Sequence, residues 1–497
     1  MALLAGPATI AHVLDAALAA RPDCPAVTAR SGTLTYRELD ACADAAAAAL
    51  WARGVRPGDR VAACLPNDLD VVTAFHGTQR IGAVWVGVGE ALTEAEQLDL
   101  VDDCAPTVLL AGPQCKLADS TVVTPSQWSD LCTNAAAAPK VDTDPAAAAG
   151  IAYTSGTTGR PKGIVHSQHN LLLPGAVLVA SRGWGPNLRK GDCLPLTILN
   201  MLVLTTLLTA QAGGCCIVMD RRDADGVAEW VGREQVAVWN GAPAQLYDLA
   251  RRTDLDLSSL TEIWCGGGDC SDQLRATFHS AHGQHVRATY GLTEAPTVVS
   301  IDPVGESWRP AVSGQVLPHL QVIARGDDGC ALEAGAAGEL SLQAAQAGPF
   351  AGAWTPMLGY WEDGGVRSSA TAGLTGDIGA VDPDGWLTIV GRKKIVVVRG
   401  GANVYPAEVE RVLTACPEEA AAAVFGVPDE RLGERVAALV EPVGGDIDLD
   451  RLRDICAGQL ARFKVPEVWA AVPKLPTNAM GKVVRTDLHT LLAAARS

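Results

Sequence analysis

The six residues from Thr154 to Gly159 are all glycine or hydroxyl-bearing, and Lys162 and Gly163 follow close behind. A chain that keeps such a segment suits a place where bare backbone meets an anion. Gly156, Gly159 and Gly163 let N–H groups approach closely, the hydroxyls of Thr154, Ser155, Thr157 and Thr158 add donors, and Lys162 brings a cation. The lysine carries weight because only 9 of the 39 basic residues are lysine. A compact ammonium on a flexible stem can follow a phosphate where a planar guanidinium fork cannot. The spacing is not GxxxxGK[ST], so the common nucleoside-triphosphate loop is excluded. An apolar strand signal at Gly150 to Tyr153 precedes the run and a helical one begins at Gln168, which sets the anion site in an α/β framework.

The surrounding chain fits that framework. Residues 34–110 alternate helical patterns (Tyr36 to Gly54, Asp68 to Ile81) with short apolar strands (Arg60 to Cys64, Val84 to Val88, Thr107 to Ala111), the pattern of a parallel sheet. Asn134 to Gly150 is rich in alanine and reads as a linker before a second strand-and-helix stretch. From Gly314 to Leu342 short strands with glycine and aspartate turns predict an antiparallel or barrel-like part. Residues 391–497 hold 15 Lys and Arg against 14 Asp and Glu, whereas 1–390 carry a net charge of −18. The expected fold class is α/β. A large N-terminal domain, 1–390, comprises stacked, mostly parallel α/β subdomains plus a barrel-like β subdomain, and a small α+β C-terminal lid spans 391–497.

Charge and composition exclude several functions. A net charge of −17 repels a phosphate backbone, so no nucleic-acid partner is expected. The N-terminal segment has no basic stretch before its apolar residues and reads as a helix, not a secretory signal. Leu194 to Ala212 is too interrupted by polar residues to span a bilayer, so no membrane segment is expected. The 14 cysteines are scattered without a CxxC pair, which reads as reduced thiols in a cytoplasmic protein. His279, His282 and His285 lack a spaced carboxylate or cysteine and read as a solvated helix end.

Further motifs follow the glycine-rich run in order: Tyr290-Gly-Leu-Thr-Glu294, Thr375-Gly-Asp377-Ile-Gly379, Gly391-Arg392-Lys-Lys394, Gly400-Gly-Ala-Asn-Val-Tyr-Pro-Ala-Glu408 and Pro476-Thr-Asn-Ala-Met-Gly-Lys482-Val-Val-Arg485. Together with Leu34-Thr-Tyr-Arg-Glu-Leu39 and Gly58-Asp-Arg-Val61, they make the chain resemble the adenylate-forming superfamily of acyl-CoA synthetases, nonribosomal-peptide adenylation domains and firefly-luciferase-like enzymes. It is most similar in type to acyl-CoA synthetases.

The resemblance implies an enzyme that joins a carboxylic acid to the α-phosphate of ATP, releases pyrophosphate and passes the acyl group to a thiol. Coenzyme A, or the phosphopantetheine of a carrier protein, is the implied acceptor, with Mg2+ as the metal. By the same resemblance Lys482 bridges the carboxylate and the α-phosphate, the loop from Thr154 to Lys162 holds the β- and γ-phosphates, and Thr293 contacts the α-phosphate. Glu294 and Thr158 would hold the metal. Asp377 and Arg392 would bind the ribose, while Tyr290 and Gly291 border the adenine with the turn Gly266-Gly267-Gly268. Lys394 is the implied hinge of a lid that first closes and then rotates, and Gly400 and Gly401 border the thiol channel. Ile395 departs from the aspartate usual after that hinge. Transfer to an amine, activation of nitrite and a non-catalytic nucleotide-binding role remain as alternatives, and a monomer or homodimer fits equally.

The implied acid pocket is formed by Ile198, Leu199, Asn200, Trp239, Asn240, Trp264 and Gly268. Leu194 to Thr209 contain no acidic residue, so a buried α-ammonium would lack a counter-charge. An apolar acid, aryl or medium-chain, is expected.

Overall fold

The computed structural model of the chain describes residues 6–118, 121–154, 161–268, 270–296, 298–305, 308–369, 373–400, 402–416, 419–442, 447–477 and 482–496. Two large mixed sheets form the body. In the first, strands Val122–Val123, Val108–Ala111, Arg60–Cys64, Val84–Gly87 and Ala148–Thr154 run parallel, and Lys162–Ser167, Gly359–Glu362 and Gly365–Arg367 continue the sheet antiparallel. In the second, Pro25–Ala29, Cys215–Val218, Arg189–Asp192, Val238–Gly241, Glu262–Cys265 and Val286–Tyr290 are parallel neighbours, with antiparallel strands at both edges.

Local chemistry explains the first helices. Tyr36–Ala52 begins at a reciprocal cap in which the Thr35 hydroxyl accepts from the Glu38 backbone N–H at 3.2 Å and the Glu38 carboxylate accepts from the Thr35 N–H at 2.8 Å. Its buried face is mostly alanine, at positions 43 and 46–49, which lets the helix Leu69–Arg80 lie close. Both belong to the largest apolar core, which also takes in Phe75, Trp85 and Leu202.

The expected linker is shorter than its composition suggests. A capped helix, Pro125–Asn134, leads into irregular chain, and Ala148 already opens the strand to Thr154. Small residues are required there because Leu199 packs against Gly150. The helix expected from Gln168 is present as Gln168–Arg182, capped by Ser167, and a strand that the sequence reading does not assign, Lys162–Ser167, precedes it. The glycine-rich run therefore joins two antiparallel strands in which Thr154 pairs with Lys162.

The antiparallel part is a four-stranded sheet of Leu320–Arg325, Gly338–Ala344, Leu374–Val381 and Leu387–Arg392. Its last strand runs through Gly391, and one turn, Lys393–Ile395, leads into the small C-terminal sheet. That sheet carries helices Pro406–Thr414 and Leu449–Gln459 over one core and Leu488–Arg496 over another. The small domain rests on the body through Arg411, which donates to the Ile389 carbonyl at 3.2 Å, and Tyr247, which donates to the Thr414 carbonyl at 3.4 Å. Among the described residues no helix is long and apolar enough to cross a membrane.

Gly87, the last residue of a parallel strand in the first sheet, lies against the segment that follows Arg189–Asp192 of the second. A Cβ there would lie 1.5 Å from the Thr197 carbonyl oxygen. Gly87→Ala should therefore destabilise the fold by about 2–3 kcal/mol through forced displacement of backbone, read as a lower thermal midpoint than that of Gly232→Ala, where a Cβ meets nothing.

Candidate active site

Strand order gathers the motifs at the carboxyl ends of the parallel strands, where open α/β sheets bind ligands. Glu262–Cys265 and Val286–Tyr290 are paired neighbours, so the Gly266-Gly267-Gly268 turn and Tyr290-Gly291 emerge side by side. Gly267 has a φ of +80°, and a Cβ on Gly266 would come within 2.7 Å of the Thr289 hydroxyl, so this turn needs glycine for conformation and for space. Beyond Gly291 the chain turns through Thr293 and Glu294.

His166 holds this turn to the lysine-bearing strand. Its ring is fully buried and Nε2 donates to the Thr293 carbonyl at 2.7 Å. Burial pushes its pKa down to about 4, with the Thr293 bond opposing, so the imidazole is neutral at pH 7. The sequence reading gave His166 no role. Its position four residues after Lys162, on the same strand face, was the available signal.

Asp377 is the centre of the nucleotide-binding candidates. It is buried, with Oδ2 accepting from the Tyr290 hydroxyl at 2.6 Å and Oδ1 from Arg392 Nε at 2.8 Å. Asp377 and Arg392 face each other in strand register. Burial, then the Asp377 charge, raises the Tyr290 pKa and keeps the phenol protonated. A carboxylate has about four acceptor positions, so each oxygen retains room for a ribose hydroxyl.

Lys482 reaches this cluster from the small domain. The residue is exposed, yet its ammonium stands near enough to protein that desolvation lowers its pKa. Arg392 lowers it further, while Asp377 and Glu294 oppose the shift. Lys162 stands with its ammonium 5.6 Å from the centre of the Tyr360 ring, and Tyr360 in turn senses Glu294. Glu294 lies near enough to Lys482 for its charge to act on that ammonium, and its carboxylate is a hard oxygen donor of the kind that fits magnesium.

The other candidates divide. Ser155, Gly156, Thr157, Thr158, Gly159 and Gly401 lie outside the described residues. Lys394 sits exposed in the turn between body and lid, and Gly400 ends the next strand with a φ of +58°. Thr293, Ile198, Leu199 and Asn200 line one cavity of about 370 Å³. Trp239, Asn240, Trp264 and Gly268, the other residues named for the acid pocket, are not among the residues that line this cavity. Trp239 is fully buried in the core beneath the helices, because alternate strand residues face opposite layers. Trp264 stacks on Trp184 and donates to Glu262 at 2.7 Å. The Asn240 side-chain Oδ1 accepts from the buried Lys190 Nζ at 2.6 Å. The absence of acidic residues between 194 and 209 does not extend to the cavity, since Glu90 and Asp220 enter it from elsewhere in the chain.

Residues 14–361 match the family of AMP-binding enzymes, and residues 408–482 match the C-terminal domain of AMP-binding enzymes. An indoleacetate–CoA ligase of Aromatoleum aromaticum is 31% identical over 488 residues, covering 93% of each chain. A feruloyl-CoA synthase of Amycolatopsis is 31% identical over 94% of this chain and 96% of its own. The fold superposes on ATP-bound MatB from Rhodopseudomonas palustris with a TM-score of 0.86 at 28% identity, covering 97% and 98% of the two chains. Against apo MatB the score is 0.76 at 27% identity, over the same shares.

Asp377→Asn replaces an acceptor-only group with one that turns an N–H toward either Tyr290 or Arg392. ATP binding measured by calorimetry should weaken at least about tenfold, the cost of one charge-assisted hydrogen bond, while Arg325→Lys, on the same sheet but remote from the cluster, should leave it unaltered.

Proposed function

Since the chain belongs to the family of AMP-binding enzymes, we propose that its reaction is the ATP-dependent ligation of a carboxylic acid to coenzyme A, with release of pyrophosphate and AMP. The observation that carries this reading is the small domain's Lys482 standing among Asp377, Arg392 and Glu294 of the body. Relatives at about this similarity include an indoleacetate–CoA ligase, a feruloyl-CoA synthase and a long-chain-fatty-acid–CoA ligase, and an apolar acid, aryl or medium-chain, is the substrate class proposed.

In the first half-reaction a carboxylate oxygen attacks the α-phosphorus of ATP and pyrophosphate departs with the electrons of the broken P–O bond. Both reactants are anions. Two unit charges 4 Å apart repel by about 1 kcal/mol in water and about 4 kcal/mol at the effective dielectric of a protein cleft. Lys482 would offset that repulsion between carboxylate and α-phosphate, and Lys162 would do so at the β- and γ-phosphates. The lowered pKa of Lys482 comes from desolvation and the nearby Arg392, and approaching anions would oppose both. Asp377 and Arg392 would hold the ribose, and Tyr290 with the Gly266–Gly268 turn would bracket the adenine.

Glu294 would hold a magnesium ion, which supplies further neutralisation of phosphate charge when bound. In the second half-reaction the thiol sulfur attacks the acyl carbon, its proton is lost, and the C–O bond to AMP breaks. Lys394 is the proposed hinge for the rotation that replaces Lys482 with the Gly400–Gly401 turn at the reacting centre.

Lys482→Ala should lower acid-dependent pyrophosphate release by at least about a thousandfold with ATP binding retained by calorimetry. Gly401→Leu should impair acyl transfer to coenzyme A more than pyrophosphate release, and equal loss in both would sink the two-position lid. In the unaltered enzyme the alkaline limb of kcat/KM should fall below the 10.5 of a free lysine, because the ammonium that must be charged has a lowered pKa.

A further inference from the structure

The cavity beside Thr293 takes much of its wall from one short segment, in which Cys193, Pro195, Thr197, Ile198, Leu199 and Asn200 all line it. The segment starts where the strand Arg189–Asp192 of the second sheet ends. It runs into a short helix, Leu199–Leu202, and then into one wide π-turn, Val203–Leu207. Such turns are rare and frequently mark functional sites. Two adjacent threonines hold this one from opposite sides. Thr205 Oγ1 donates to Asp192 Oδ2 at 2.5 Å, and the Thr206 hydroxyl pairs with His76 Nε2 at 2.9 Å. Asp192 belongs to the second sheet, whereas His76 lies on the helix Leu69–Arg80, which packs in the same core as the strands of the first.

Asp192 is itself held in place. Lys190 Nζ donates to it at 2.6 Å and to Asn240 Oδ1 on the neighbouring strand at 2.6 Å, and all three side chains are buried. A buried ion pair gains a fold little over apolar packing of the same volume. What it does supply is a fixed point. The Asp192–Thr205 hydrogen bond closes the chain between the two residues into a loop, and all six lining residues of the segment lie inside that loop. We propose that Asp192 and Thr205, with His76 and Thr206 as a second tie, are positioning residues that set where this cavity wall stands against the acid. None of the four lines the cavity, so they act through Ile198, Leu199 and Asn200. The inference rests on the acid-activating reading above and adds the device that holds its pocket.

The test compares Thr205→Val, Thr205→Ser and Thr209→Val in pyrophosphate release, with ATP, magnesium and coenzyme A, and with phenylacetate, cinnamate and octanoate as probe acids. Thr209 is also buried, but its hydroxyl bonds only to the carbonyls of Thr205 and Thr206, so Thr209→Val removes a hydroxyl without releasing either tie. Thr205→Val should raise KM for the fastest of the three acids about tenfold while KM for ATP stays within about twofold, since the wall that is released faces the acid. Thr205→Ser should restore the parent value. Thr206→Val should raise the same KM, and it carries the test if Thr205→Val does not fold. A lower melting midpoint with both KM values unchanged, a rise in both alike, or an equal rise in Thr209→Val would overturn the inference and leave the ligase reading standing. Pyrophosphate release by the parent without any acid, or with none of the three, would end the apolar-acid reading and the inference with it.

Discussion

One buried carboxylate joins three parts of this protein. Asp377 lies on the antiparallel sheet, receives the Tyr290 hydroxyl from the nine-stranded sheet and Arg392 from its neighbouring strand, and contributes to the field around Lys482 of the small domain. A carboxylate so enclosed must be paired, because desolvating an unpaired charge costs several kcal/mol on the order of magnitude seen for buried ions. Its partners are therefore obligatory. Tyr290 ties the antiparallel sheet to the nine-stranded one, and Arg392 ties two strands of the antiparallel sheet.

The framework around that carboxylate is written in local signals. The Thr35–Glu38 cap, the alternation of helix and strand over 34–110 and the order of the glycine-rich motifs each report short-range physics that a sequence displays directly. What escaped is set by distant pairings. Lys162–Ser167 carries no element assignment in the sequence, and one of its two partner strands, Gly359–Glu362, lies some two hundred residues on. Trp239 and Trp264 look alike in sequence, and only strand parity and register assign them to opposite layers. Glu90 could not be placed in the cavity from its own neighbours, because it arrives there through the end of a strand in the other sheet.

Charge is distributed to match. The acidic body could not hold a triphosphate by its overall field, so on the proposed reading the task would fall to a few local cations, Lys162, Arg392 and Lys482, carried on different elements. One of them, Lys482, belongs to the small domain. On the proposed reading, association of an anionic nucleotide would be separated from the charge that activates it.

The pairing of Thr154 with Lys162 has a consequence for how this region can change over evolution. Side chains alternate faces along a strand, so Lys162 keeps its orientation only while its register is kept. Gaining or losing one residue within the Lys162–Ser167 strand would turn either Lys162 or His166 to the wrong side, since the two share a face. Length variation is thus confined by parity, and a point substitution is a gentler change here than a single-residue indel of any composition.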